Sequence, residues 1–146
     1  MTKHQPNSLI WRYLIGFWRI RQRFSNQLMR RLEAEQKLDY REYIALQFIE
    51  RGISYPGDLA EAMGIPSYLS SRVIEPLIAQ GLIERQIDTS DARRIQLALS
   101  EQGRARLTAS DSVLTLELDA LLARLSPERR ALLLEVIEQL ADDPYQ

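Results

Sequence analysis

The sequence has no cysteine and a single histidine, His4. Without thiols there is no disulfide framework, no thiolate metal site, no cysteine nucleophile and no switch based on cysteine oxidation. One histidine near the N-terminus supplies neither a histidine metal cluster nor a placed imidazole base. No Gly-rich phosphate loop or carboxylate cluster takes their place, so we expect no catalytic residue, no metal ligand and no cofactor. Long hydrophobic runs are lacking too. The most apolar stretch, residues 9–18, is interrupted by Arg12 and followed by Arg19, Arg21 and Arg23. It is too short to span a bilayer and has no small-residue cleavage site after it. The expected setting is the cytoplasm, with no membrane partner. Net charge is also nearly absent, at −1 over 146 residues, so overall charge names no partner.

What is present is an ordinary globular composition, 45% hydrophobic and 27% charged, of a length that suits one compact domain or two small lobes sharing a core. The charge is unevenly spread. Residues 1–32 hold seven basic residues and no acid, whereas residues 107–146 hold eight acids and three bases.

Periodicity gives the element order. Residues 8–32 predict one long helix, with Ile10, Leu14, Phe17, Phe24 and Leu28 in a stripe widened by Trp11, Ile15 and Trp18. Asp39 and Glu42 predict a capping box, and Leu38 with Tyr43 a hydrophobic staple, for a helix reaching about Arg51 and closed by Gly52. A short helix over 56–63 ends at Gly64, and another follows over 67–80 and stops at Gly81. Two short helices around so tight a turn suggest a helix-turn-helix. Residues 82–87 and 95–99 read as antiparallel strands joined by a charged tip. A helix over 100–124 and a last one from Ser126 to about 141 complete the chain. The fold class is therefore mainly α with a small β-wing. A winged helix-turn-helix lobe (38–106) is flanked by two parts of a helical dimerisation lobe (1–37 and 107–146), all in one intertwined domain. The two terminal parts are expected to pack together and to bury their longest apolar faces against a second copy, giving a homodimer.

Three stretches in this order resemble the MarR family of transcriptional regulators. They are "GDLAEAMGIP" at 57–66, "VIEPLIAQGLIERQ" at 73–86 and "DTSDARRIQLALSEQGRARL" at 88–107. The last holds an Asp-x-Arg element, Asp91-Ala92-Arg93, and the ending Leu99-Ser100-Glu101-Gln102-Gly103. The resemblance implies a dimeric regulator of double-stranded DNA, usually a repressor. Each subunit then places a helix in the major groove of a pseudopalindromic operator and a wing in the minor groove. It also implies release by a small aromatic or lipophilic anion bound between the lobes.

The residues themselves permit these roles. Ser67, Tyr68, Ser70, Ser71 and Arg72 open the candidate recognition helix. Hydroxyls can meet phosphates or base edges there, and Arg72 can bond a guanine or hold a phosphate. Leu69, Val73 and Leu77 should face the core. The plainer reading has Ser67 as a helix cap and Tyr68 as a cover over apolar surface. At the tip, Asp91 can hold the Arg93 side chain extended by an ion pair, beside Arg94, so that an arginine enters a narrow A·T-rich groove. The plainer reading is a solvated turn. For an effector cleft the candidates are Trp11, Arg12, Trp18, Arg19, Tyr40 and Tyr43, a cationic and aromatic set suited to an aromatic carboxylate or phenol. The plainer reading places these tryptophans in a dimer core, with the arginines solvated.

Two departures from the family pattern stand out. Pro76 lies inside the recognition helix, where it should kink or unwind the end. Ala92 takes the place of a frequent first wing arginine. Residues 53–106 carry seven acids against six bases, a poor footprint for DNA unless Arg30 and Arg31 contribute. These features keep open an alternative, a winged-helix interaction or ligand-binding module with weak or lost DNA binding. A membrane-surface role for the basic first helix fits less well, because its long apolar stripe suits a dimer interface better.

Overall fold

A computed structural model of the chain describes residues 8–141. His4 lies outside them, as do the outer ends of the two terminal segments. The helices are α1 (Leu9–Phe24), α2 (Arg30–Gln36), α3 (Tyr40–Glu50), α4 (Pro56–Met63), α5 (Ser70–Ala79), α6 (Glu101–Leu121) and α7 (Pro127–Ala141). Strands β1 (Ile83–Ile87) and β2 (Ile95–Leu99) form one antiparallel hairpin, in register from Ile83 opposite Leu99 to Ile87 opposite Ile95.

The core sits under the winged lobe. Leu38, Leu46, Leu59, Leu77, Leu82 and Leu97 are all fully or almost fully buried there, so α3, α4, α5 and the hairpin share one apolar interior. Local signals explain the element ends. Asp39 and Glu42 form the capping box, with the Glu42 amide on Asp39 Oδ1 at 2.7 Å and the Asp39 amide on Glu42 Oε1 at 3.0 Å. Gly64 closes α4 at φ 65°, in the left-handed region that costs glycine least.

The expected single helix over 8–32 differs in its middle. Ser25–Met29 forms a π-helical turn between α1 and α2. Such a turn takes one residue more than an α turn, so it re-aims the face that follows it. Leu28 and Leu32, beyond or within the turn, are buried, whereas Ile10, Leu14, Phe17 and Trp18, before it, are exposed. No proline or glycine marks residues 25–29, which is why periodicity alone runs straight through them.

The terminal segments do not pack on one another along their whole length. The π turn and α2 lie against α6, fastened by Arg31 to Glu117 at 2.7 Å and by Arg106 to the Gln36 carbonyl at 2.7 Å. In α1 and α7, Trp18 is 56% exposed and Leu140 77%, and Leu132, Leu134 and Ile137 are also more than half exposed. A single chain thus leaves two long apolar helices uncovered.

Candidate nucleic-acid interface

The candidate recognition helix begins as a 3-10 turn, Ser67–Leu69, and becomes α5 at Ser70. Ser67 gives no side-chain cap; its carbonyl instead accepts the Ser70 hydroxyl at 2.7 Å. Val73 and Leu77 are buried and Leu69 half-buried. That anchoring turns Tyr68 (74% exposed), Ser67, Ser71 and Arg72 to solvent, with Ser70 partly covered. Pro76 does not end the helix. α5 continues to Ala79, and the Pro76 carbonyl accepts the Gln80 amide at 3.1 Å. Proline forfeits only its own bond to the carbonyl four residues earlier, and packing of Val73, Ile74 and Leu77 holds the remaining turns.

Beside Arg72 lies a residue that the sequence did not single out. Arg41, at the start of α3, lines a recess of about 130 Å³ together with Asp39, Glu42, Arg72, Val73 and Pro76. Both arginines are exposed and come from two elements, with the carboxylates of Asp39 and Glu42 in the same recess. Only the tertiary packing of α3 on α5 brings them together.

The wing tip, residues 88–94, is organised around Asp88. This carboxylate is only 6% exposed. It accepts the Tyr55 hydroxyl, the Ser90 amide at 2.8 Å and the Ser90 hydroxyl at 2.7 Å. Those donors, Tyr55 first, hold its pKa down at about 2. The same bond to Asp88 raises the Tyr55 phenol above its usual value. Asp91 acts differently from the expectation. Its Oδ1 accepts the Arg93 backbone amide at 3.0 Å, an Asx turn, and no ion pair among the described residues joins it to the Arg93 guanidinium. Arg93 is exposed at the tip. The Arg94 guanidinium lies over the Tyr55 ring, 3.7 Å from its centroid. Tyr55 is the second residue that sequence reading missed. It precedes Pro56 at the start of α4, and nothing local relates it to a loop more than thirty positions on.

Ion pairs engage acidic and basic residues of this lobe alike. Glu75 on α5 is held by Arg85 of β1, and Glu50 by Arg104 at 3.6 Å. Of the acids in residues 53–106, Glu75 is paired and Asp88 enclosed, but Arg85 and Arg104 are paired as well, so the charge balance of this lobe is little changed. Arg31 is engaged by Glu35 at 2.6 Å and by Glu117, so it is spent on the helical lobe.

A cleft of about 680 Å³ lies where the π turn, α3 and α6 meet. Tyr40 and Tyr43 line it with Phe24, Leu28, Arg51 and Asp111 among others; Trp11, Arg12, Trp18 and Arg19 do not. They are exposed on α1. The Tyr43 hydroxyl donates to Asp111 Oδ1 at 2.7 Å and accepts the Gln47 amide at 2.8 Å. Burial and the Asp111 carboxylate push this phenol up to about 12.

A helix-turn-helix followed by a two-stranded wing, flanked by long helices, defines a winged-helix fold. The model of the MarR family matches residues 36–94. Among solved structures, the chain is similar to a transcriptional repressor, CouR, bound to a 23-mer DNA duplex (22% identity, 86% of this chain and 89% of that one, TM-score 0.78). It is also similar to MarR of E. coli in its apo form (17%, 93% and 98%, TM-score 0.72) and to the transcriptional regulator BldR of Sulfolobus solfataricus (19%, 93% and 99%, TM-score 0.73). No curated protein matches. The match to the MarR family model covers residues 36–94, and the chain shares the winged-helix fold of these solved structures. No described helix is long and apolar enough to cross a membrane.

Proposed function

We propose that the chain is a homodimeric, cytoplasmic, sequence-specific DNA-binding regulator, a repressor by analogy with the similar CouR. One observation carries this reading. The 3-10 turn and α5 present Tyr68, Ser71 and Arg72 to solvent while the adjoining wing tip presents Arg93, on a fold shared with a protein solved on duplex DNA. Arg72 reads a base edge or holds a phosphate, Arg41 holds a phosphate, and Ser67, Ser70 and Ser71 contribute hydroxyls. The exposed apolar faces of α1 and α7 supply the dimer contact. The operator is then a pseudopalindrome with half-sites about 34–36 Å apart.

The cleft between α3 and α6 supports a small-molecule effector with an apolar body. Arg51 offers a cation to an anionic end, and Asp111 already holds the Tyr43 hydroxyl, so the ligand must compete for it. Its lining spans the winged lobe through α3 and the helical lobe through α6, so an occupant can act on both.

The test is a mobility shift with the DNA upstream of the protein's own coding region, at two salt concentrations. A shift that survives competition by unrelated duplex and weakens with salt supports the reading. The same affinity for every duplex, or none, favours the alternative of an interaction module that no longer reads DNA.

A further inference from the structure

The wing carries two adjacent arginines, and their surroundings differ. The Arg94 guanidinium rests on the Tyr55 ring. Its backbone is held as well: the Arg94 amide donates to the Asp91 carbonyl at 3.0 Å, and the Arg94 carbonyl accepts the Asp88 amide at 3.2 Å. Arg93 is held through its backbone alone, by Asp91 Oδ1. No ion pair or ring contact among the described residues includes its guanidinium.

Tyr55 serves both ends of this arrangement. Its ring face takes Arg94 and its hydroxyl takes Asp88. Tyr55 is itself placed firmly. It has the extended backbone (φ −105°, ψ 138°) that a residue before proline prefers, directly ahead of α4. The neighbouring Ser54 carbonyl accepts the Leu97 amide of β2 at 2.6 Å, and its hydroxyl the Gln96 side chain at 3.3 Å. The first helix of the helix-turn-helix is thereby tied to the wing at its stem and at its tip.

We infer that Tyr55 and Asp88 are positioning residues of the DNA interface: their clasp keeps Arg94 against the lobe and commits the wing to Arg93 as its single minor-groove arginine. This rests on the reading of the chain as a DNA-binding regulator. The physical reasons are two. A nearly buried carboxylate requires its donors, so removing the Tyr55 hydroxyl leaves Asp88 served by its own loop alone. A guanidinium laid on the Tyr55 ring is tethered beside α4 and does not reach outward from the tip, and a loop already ordered has less freedom to lose when DNA binds. The clasp also accounts for Ala92: one presented arginine suffices where the loop around it is fixed.

Tyr55→Phe keeps the ring and removes the hydroxyl, so the fold survives the change. Tyr55→Phe, Arg93→Ala and the double variant are compared with the unaltered protein on operator duplexes with A·T-rich or G·C-rich flanks, at one salt concentration. Amide exchange at Ser90 and Arg94 is followed in the free proteins. Tyr55→Phe is expected to weaken binding to the A·T-flanked duplex roughly 5- to 10-fold, the scale of one side chain's ordering, and to leave the G·C-flanked duplex nearly unchanged. In the Arg93→Ala background it should cost nothing further, and both amides should exchange faster. An equal loss with and without Arg93 overturns the inference, as does unchanged exchange. A loss in Arg93→Ala with none in Tyr55→Phe overturns it while leaving the regulator reading intact. Failure of the unaltered protein to hold any duplex overturns both.

Discussion

Gly103, in the first turn of α6, faces the Leu82 carbonyl so closely that a Cβ on it would lie 2.0 Å from that oxygen. The approach is fixed from both sides. The Ser100 amide donates to the same carbonyl at 3.0 Å, and Ser100 Oγ caps the helix by accepting the Gly103 amide at 2.9 Å. The Leu-Ser-Glu-x-Gly ending of the wing is thus a joint, where α6 is seated at the start of β1. Gly103→Ala forces backbone apart and should destabilise the protein by about 2–3 kcal/mol, the upper range of overpacking. Urea unfolding measures it, and a change within about 0.5 kcal/mol contradicts the joint.

Asp88 gives the wing a pH dependence of known sign. Its folded-state pKa is lowered from 3.8 to about 2 by Tyr55 and Ser90. The unfolded chain therefore binds this proton first as pH falls. The stabilisation is complete above 3.8 and is lost as pH drops through about 2. Tyr43 has the opposite sign: with its pKa raised to about 12, its contribution is complete below 10 and fades as pH rises through 12. Amide protection of Ser90, followed from pH 5 downward, should fall in the acid range. Asp88→Asn should lack that dependence; an identical profile in the variant contradicts it.

The uncovered faces of α1 and α7 predict that one charge placed in them separates the copies. Trp18→Glu or Ile137→Glu should weaken self-association at least 100-fold, about 2.7 kcal/mol. Sedimentation across a range of concentrations reads this directly, and a variant that remains dimeric at low concentration contradicts the assignment of that face.

Most element ends were legible because their signals are local: the Asp39–Glu42 box, Gly64, Gly81, Pro127 and the alternation over 95–99. The π turn was not, because Ser25–Met29 differs from an α turn only in hydrogen-bond register and carries no breaker residue. At the candidate site, the exposure of Tyr68, Ser71 and Arg72 followed from where Val73 and Leu77 must point. Arg41 and Tyr55 were invisible, since each meets its partner only after α3 packs on α5 or the wing folds back on α4. Charge counting likewise cannot see that Glu75 and Arg85 pair with each other or that Asp88 is enclosed.

Arg72 and Arg41 should separate by the kind of loss they cause. Arg72→Ala should cost about 1–3 kcal/mol in binding and relax preference at one operator position, as for a base contact. Arg41→Ala should weaken all duplexes alike. A uniform loss for Arg72→Ala makes it a phosphate contact.

The central claim is that the wing of this winged-helix protein inserts Arg93 into DNA. The most direct measurement is the salt dependence of operator affinity for the unaltered protein and for Arg93→Ala. The account predicts weaker binding by the variant and a log–log salt slope lower in magnitude by about one. The same affinity and the same slope would contradict it.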